Sequence, residues 1–465
     1  MLSCFSRDAT DAILVELIKL SELDKWLSTQ SKFIFNWVKH RFAATSKANQ
    51  AEQTLPIKAP EANILLAIPS QQGDIQQYIY IADANVKAWW TAALVMNLPE
   101  GKYRIDNLSD DAVLAWGLSA YQFTRYKTAK RQPAQLVIDK HHSSVENILT
   151  SVYLIRDLIN TPADDMGPSE LTEDIHKVAV KHAAHLETYV GEDLLTHGFH
   201  CIYTVGRASD DAPRLLDLRW GDKSAPKVTL VGKGVCFDTG GLDIKSSAGM
   251  LLMKKDMGGC AHVLGLAQMI MQAKLNVQLR VLMPIVENSV GGNAYRPGDV
   301  IRSKQGLTIE IGNTDAEGRL ILADALTAAA EDNPELLIDI ATLTGAARVA
   351  VGTDIAAMFC NDQSIAREMM AAGEKVNDPM WQLPLFSAYR ESLNSPIADI
   401  NNAGSDGYAG AITAALFLKE FVPDNIAWMH FDIMAWNLKA KLGKPVGAEA
   451  MAVRGIFEYL KTRYS

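Results

Sequence analysis

KVTLVGKGVCFDTGGLDIK at 227–245 decides the fold class. Lys227–Val231 has the pattern of a buried strand, and it runs straight into a loop rich in glycine and charge. Gly232, Gly234, Gly240 and Gly241 stand among Lys233, Asp238, Asp243 and Lys245. Glycines let backbone approach a bound ion or ligand and allow positive φ. In layered α/β folds, loops after strand C-termini carry the chemistry. The competing reading of this segment alone is a glycine-rich surface turn with solvated charges.

Toward the C-terminus, strands and helices alternate. Met257–Ala273 reads as a long helix, Val277–Ile285 (VQLRVLMPI) as a strand, Leu320–Asp332 as an alanine-rich helix ending at Asn333–Pro334, and Leu336–Ala341 (LLIDIA) as another strand. Upstream, Val145–Asn160 reads as an amphipathic helix stopped by Thr161–Pro162. Such alternation predicts an α/β layered domain. Earlier still, Ile64–Pro69 (ILLAIP) and Tyr78–Ala82 (YIYIA) read as strands joined by a turn at Gln71–Asp74, with a helix over Ala84–Met96 and a loop over Ser46–Pro56. The basic, proline-containing stretch Tyr126–Gln135 (YKTAKRQPAQ) marks a boundary between an N-terminal domain, 1–135, and a second domain, 136–465.

Three further segments carry polar residues at such loop positions. MKKDMGG at 253–259 puts Asp256 just before a helix start, where its ordinary use is an N-cap. NTDAEGRL at 313–320 separates Asp315 from Glu317 by one residue, so an extended backbone would send both carboxylates to one side, with Arg319 continuing the alternation. IATLTGA at 340–346 places small and hydroxyl side chains at a strand's end. Each alone is a weak signal, with an acidic surface turn or a tight strand-to-helix turn as the alternative.

Several carboxylates gathered in one small site repel unless protons or cations neutralise them. Divalent ions do this well, and carboxylate oxygens suit Mg²⁺, Mn²⁺ and Zn²⁺. HExxH, the signature of single-zinc metalloproteases, does not occur. On spacing alone, Lys233 is assigned to binding a phosphate or carboxylate.

The bulk numbers narrow the rest. A chain of 465 residues exceeds one ordinary domain. Its net charge of -9 argues against a general nucleic-acid binder, which presents a net basic face. Lys127, Lys130 and Arg131 form the compact basic cluster. Five scattered cysteines without a CxxC pair predict neither a disulfide framework nor a thiolate zinc cluster. Asp8, Asp11 and Glu16 interrupt the N-terminus, which does not read as a signal peptide, and no charge-free apolar run is long enough to span a bilayer.

The four segments together, in this order, resemble the leucyl aminopeptidase (cytosol aminopeptidase) family. NTDAEGRL is that family's signature octapeptide. GKG(x)₃DTGG(x)₃K at 232–245, MKKDMGG and RDLINTPADDMGPSEL at 156–171 look like its other hallmarks. The resemblance implies a smaller N-terminal mixed α/β domain followed by a three-layer α/β/α catalytic domain with a mixed central sheet. It implies two divalent ions per subunit, zinc or manganese first, magnesium or cobalt as alternatives. Lys233, Asp238, Asp256 and Glu317 would hold the tighter ion; Asp238, Asp315 and Glu317 would hold the more exchangeable one. Lys245 would polarise the scissile carbonyl, and Arg319 would hold a bicarbonate acting as general base.

The implied reaction removes the N-terminal residue of a peptide. Met253, Thr342 and Gly345 look like positions of the first side-chain pocket, and Met253 favours an apolar residue such as Leu or Met. HFDIMAWN at 430–437 departs from the family's HLDIAG-like motif, Met434 standing where a small residue is expected. The resemblance also implies a homohexamer acting on peptides in the cytoplasm, with no membrane partner. Two alternatives share the fold: a dipeptidase such as a cysteinylglycine hydrolase, and a nucleic-acid-binding regulator, against which the acidic balance argues.

Overall fold

A computed structural model describes residues 1–45, 63–82, 88–405 and 407–465. The chain divides into two compact units, Met1–Thr150 with Ala440–Pro445, and Ser151–Lys439 with Val446–Ser465. The division falls inside the helix Ser143–Asn160, beyond the position read from the sequence. The basic, proline-containing stretch is instead a loop within the first unit, because Gln135–Val137 continues from it as a strand paired with Phe5–Ser6 and Lys102–Arg104. Arg131 of the basic cluster donates to the carbonyls of Met96 and Leu98, so that side chain is committed to tying a loop.

The first unit is built on a six-stranded sheet ordered Phe5–Ser6, Gln135–Val137, Lys102–Arg104, Ile13–Lys19, Ile75–Ala82, Ile64–Pro69. Its strands pair in parallel except for the last two, which form the expected hairpin. Ile18, Ile68, Ile79 and Ile81 bury against Leu23, Leu27 and Val38 from two short helices. The helix expected over Ala84–Met96 is not continuous: its first residues lie outside the described ones, and Ala88–Ala93 forms a 3-10 helix. There the Thr91 hydroxyl donates to the Ala112 carbonyl, a long-range bond that local pattern does not encode. The loop expected over Ser46–Pro56 lies outside the described residues.

The second unit carries a nine-stranded mixed sheet. Its order is Met380–Gln382, Ala356–Cys360, Ala427–Asp432, Leu336–Ala341, Lys227–Gly232, Gln278–Asn288, Arg214–Trp220, His185–Val190, with Gly234–Asp238 also paired to Gln278–Asn288. The four central strands, Ala427–Asp432, Leu336–Ala341, Lys227–Gly232 and Gln278–Asn288, run parallel. They are buried on both faces, which explains their nearly continuous apolar sequences. Neighbouring strand residues point to opposite faces. Thus Val231 joins Leu282, Leu337 and the helix Glu317–Glu331 in one core, while Gly232 lies against Val263 and Gly259 of the helix Gly258–Ala273.

Because those strands are parallel, their C-terminal ends share one edge of the sheet. Gly232, Asp238, Asn288, Ala341 and Asp432 end their strands, and Lys233 and Thr342 follow immediately. Met257 and Ala316 stand at the N-caps of the two covering helices, bringing Asp256, Asp315 and Glu317 to the same region.

His262, inside the helix Gly258–Ala273, ties this layer together. Its Nδ1 lies 2.6 Å from the Gly258 carbonyl and its Nε2 accepts from the Met451 N–H at 2.9 Å. That pair of partners fits the neutral tautomer with the proton on Nδ1. Burial pushes the imidazole pKa down to about 4. The unfolded chain therefore binds this proton near pH 6.5 while the folded chain resists it, so the contribution is complete above that pH and is lost as pH falls toward 4. A shift of this size corresponds to about 3 kcal/mol. The expected result is that unfolding free energy falls more steeply between pH 6.5 and 4.5 in the parent protein than in His262→Gln; equal slopes would contradict it.

Candidate metal centre and active site

Lys233 is almost wholly buried. Its ammonium donates to Asp256 Oδ2 at 2.7 Å and to the Thr342 carbonyl at 3.3 Å, and it lies 2.8 Å from Glu317 Oε1. Asp238, buried at the end of its strand, accepts from the Gly240 N–H at 2.9 Å and from Asn288 Nδ2 at 2.8 Å on one oxygen. Its other oxygen lies 2.8 Å from the Lys245 ammonium. Lys245 also bonds Asp315. The Thr342 hydroxyl donates to Asp256 Oδ1 at 2.7 Å. Asp256 therefore spends both oxygens on Lys233 and Thr342 rather than on capping the helix. Nor is the 313–317 segment extended: it is a turn, and Glu317 is the first residue of its helix. The carboxylates converge all the same. One oxygen each from Asp238, Asp315 and Glu317 lie within 4.8 Å of one another.

Local sequence dictates this arrangement. Gly240 and Gly241 take φ of +88° and +65°, which only glycine adopts at no steric cost. They turn the chain after Asp238 so that Lys245 returns beside it. Gly318 is required for a different reason: a Cβ there would lie 2.4 Å from Lys233 Cε and 2.7 Å from Nζ. The Lys233 stem has no room to retreat without leaving Asp256 and Glu317. Gly318→Ala is therefore expected to keep the fold but lower kcat/KM about 100-fold, the scale of a 1 Å misplacement in an active site. A folded variant with parental kcat/KM would contradict this packing.

Electrostatics describe a site that needs cations. Burial, then the charges of Asp238 and Asp256, push the Glu317 carboxyl up to about 8. Burial and Asp238 push Asp315 up to about 6. Burial works against the Lys233 charge, but Asp256, Glu317 and Asp238 outweigh it and hold the ammonium protonated. Glu317 Oε1 is buried and its neighbour is the Lys233 ammonium, at ion-pair distance. Four carboxylates, with the Lys233 nitrogen once it has given up its proton, form a donor set that suits divalent ions with nitrogen and oxygen ligands. Lys233, Asp238, Asp256, Asp315 and Glu317 are the residues that would hold them.

Arg319, in the first turn of the helix, is buried, and burial lowers its pKa to about 10. Nη1 donates to the Asn402 carbonyl at 2.6 Å, while Nε has no partner among the described residues. All ten candidate residues of the sequence line a single cavity of about 550 Å³. Sequence reasoning missed four contributors. Asn288 and Asn402 orient Asp238 and the 312–316 loop through side-chain amides; a strand ending in Asn was the available signal for the first. Lys255 and Arg348 also line the cavity. Lys255 reads as a solvated lysine in MKKDMGG, yet it is almost fully buried.

No helix among the described residues is long and apolar enough to cross a membrane. Residues 153–457 match the cytosol aminopeptidase family catalytic domain, and residues 13–139 match the M17 aminopeptidase N-terminal domain. A "Probable cytosol aminopeptidase" of Geobacter sp. (strain M21) is 40% identical over 366 residues, covering 74% of each chain. The crystal structure of cytosol aminopeptidase from Coxiella burnetii is 46% identical, with a TM-score of 0.93 over 100% of both chains. The bottromycin maturation enzyme BotP in complex with Mn is 29% identical, with a TM-score of 0.82 over 97% of this chain and 99% of that one. The chain belongs to the cytosol aminopeptidase family, the M17 metallo-aminopeptidases.

Proposed function

We propose that this chain removes the N-terminal residue from peptides with a free α-amine, using two divalent ions held by Lys233, Asp238, Asp256, Asp315 and Glu317. The convergence of the Asp238, Asp315 and Glu317 carboxylates, with Asp256 joined to Glu317 through the Lys233 nitrogen, carries this reading. Zinc or manganese is the expected pair, and the solved BotP complex contains Mn. When bound, such ions supply Lewis acidity and activate water for attack on a carbonyl.

The chain's own residues do the rest. Asp238 and Glu317 would be shared by the two ions, as the family resemblance implies. Asn288 and the Gly240 N–H hold the Asp238 carboxylate in one orientation. Lys245 reaches the site from a partly exposed position, so its ammonium can donate to the scissile carbonyl oxygen where negative charge develops. Arg319, fixed through Asn402 and with Nε unsatisfied, offers donors to a small anion; bicarbonate there would supply a base. Met253, Thr342 and Gly345 line the part of the cavity that would receive the first side chain. The family resemblance further supports a homohexamer acting in the cytoplasm.

Hydrolysis of leucyl-p-nitroanilide, after chelation and after adding back Mn²⁺ or Zn²⁺, tests the reading, with the N-acetylated substrate as control. Metal-restored cleavage of the free-amine substrate, with the acetylated one slower by at least about 100-fold, is expected, since blocking the amine removes a transition-state contact worth roughly 3 kcal/mol. Equal cleavage of both would contradict an aminopeptidase.

A further inference from the structure

Two cations at the side-chain end of the cavity, Lys255 and Arg348, form no ion pair among the described residues. Arg348 lies on the short helix Gly345–Val351 and folds back over its first residue. Its Nη2 would sit 3.3 Å from a Cβ placed on Gly345, and its Nη1 lies 3.5 Å from Met434 Sδ. No carboxylate comes within ion-pair distance of it among the described residues. Lys255 lines the same cavity and is about 2% exposed, and its ammonium makes no hydrogen bond or ion pair among the described residues.

The nearby carboxylates are already spent. Asp256 takes Lys233 and Thr342. Asp432 takes the N–H groups of Leu343 and Thr344 and the Thr344 hydroxyl. Buried charge without a partner is costly; Lys255 is buried and Arg348 half-buried beside the cavity, so an anion entering it would be met by both. The reading of the site as a two-ion aminopeptidase sharpens the imbalance, because divalent ions would neutralise the four carboxylates and leave Lys255 and Arg348 in excess.

We propose that the cavity selects peptides with an acidic first residue, glutamate or aspartate, whose side-chain carboxylate is received by Arg348 and Lys255. Gly345 leaves room for the guanidinium to lie across the pocket. Met253 offers an apolar wall to the methylenes of a glutamyl side chain. Met434, the departure from the family's small residue, supports Arg348 through its sulfur. The apolar preference expected from Met253 alone thus applies to the pocket's walls and not to its end. A planar guanidinium suits a carboxylate in two parallel hydrogen bonds, and a site built to bond a substrate group discriminates more sharply than an apolar pocket does.

This inference rests on the aminopeptidase reading, and its test separates the two. Metal-loaded protein is assayed with glutamyl-, aspartyl- and leucyl-p-nitroanilides, which carry no C-terminal carboxylate. Glutamyl cleavage with kcat/KM at least equal to leucyl is expected. Arg348→Met should lower the glutamyl-to-leucyl ratio of kcat/KM by tenfold or more, Lys255→Met should lower it in the same direction, and Arg348→Glu should lower it furthest. Leucyl cleavage favoured tenfold or more in the parent protein, or a ratio unchanged by Arg348→Met, overturns the acidic pocket and leaves the aminopeptidase standing. Failure to cleave any of the three substrates with either metal overturns both readings. As a readout independent of turnover, calorimetric titration should show L-glutamate binding more tightly than L-leucine, with the difference lost in Arg348→Met; equal binding would count against the pocket.

Discussion

Glu317→Ala is expected to lose at least about 1,000-fold in kcat/KM, equivalent to about 4 kcal/mol of transition-state stabilisation, and to lose metal together with activity. Glu317 is buried at the head of its helix, next to Lys233 and near the oxygens of Asp238 and Asp315. Removing it deletes the carboxylate that both ion positions would share. The surrounding Asp238 and Asp256 remain, so the variant keeps negative charge but not the geometry to hold two ions. Activity and metal content measured on the same folded preparation check this. A variant that keeps full activity would remove Glu317 from the centre of the site.

Lys245→Ala is expected to behave differently: both ions retained, turnover lowered by about 100- to 1,000-fold, the scale for losing one donor to a developing oxyanion. Lys245 touches Asp238 and Asp315, and burial, opposed and outweighed by the Asp238 charge, leaves its ammonium firmly protonated. Its place at the cavity's partly exposed side sets it apart from Lys233, which is enclosed. The discriminating measurement is kcat against metal stoichiometry. Loss of an ion along with turnover would move Lys245 into the ligand set.

Much of this site was legible because its residues lie in short contiguous segments at strand ends. The Lys227–Gly232 and Leu336–Ala341 strands are apolar along their length because helices cover both faces of the sheet, and such runs stand out in any sequence. Like charges in glycine-rich loops pointed to a cation, and the resemblance of the four segments to the family's motifs named Asp238, Asp256, Asp315 and Glu317 as the set. Their local geometry was less legible. A DxE pair looks the same in an extended segment and in a turn entering a helix, and the structure has the second. Lys255 and Arg348 escaped notice because the burial of the first and the lack of an ion pair for either are properties of tertiary packing; a lysine in MKKDMGG ordinarily reads as solvated. The pairing of Phe5–Ser6 with Gln135–Val137 joins positions far apart in sequence, so a local composition shift could not place that part of the chain.

The central claim is that five side chains hold two ions. Its most direct test is to count the ions bound per chain at saturating Mn²⁺ or Zn²⁺ while following leucyl- or glutamyl-p-nitroanilide hydrolysis, in the parent protein, Asp256→Ala and Asp315→Ala. Two ions per chain are predicted for the parent, with Asp315→Ala losing the exchangeable ion and Asp256→Ala weakening the tighter one. Full turnover with a single ion bound, or with none, would contradict the account.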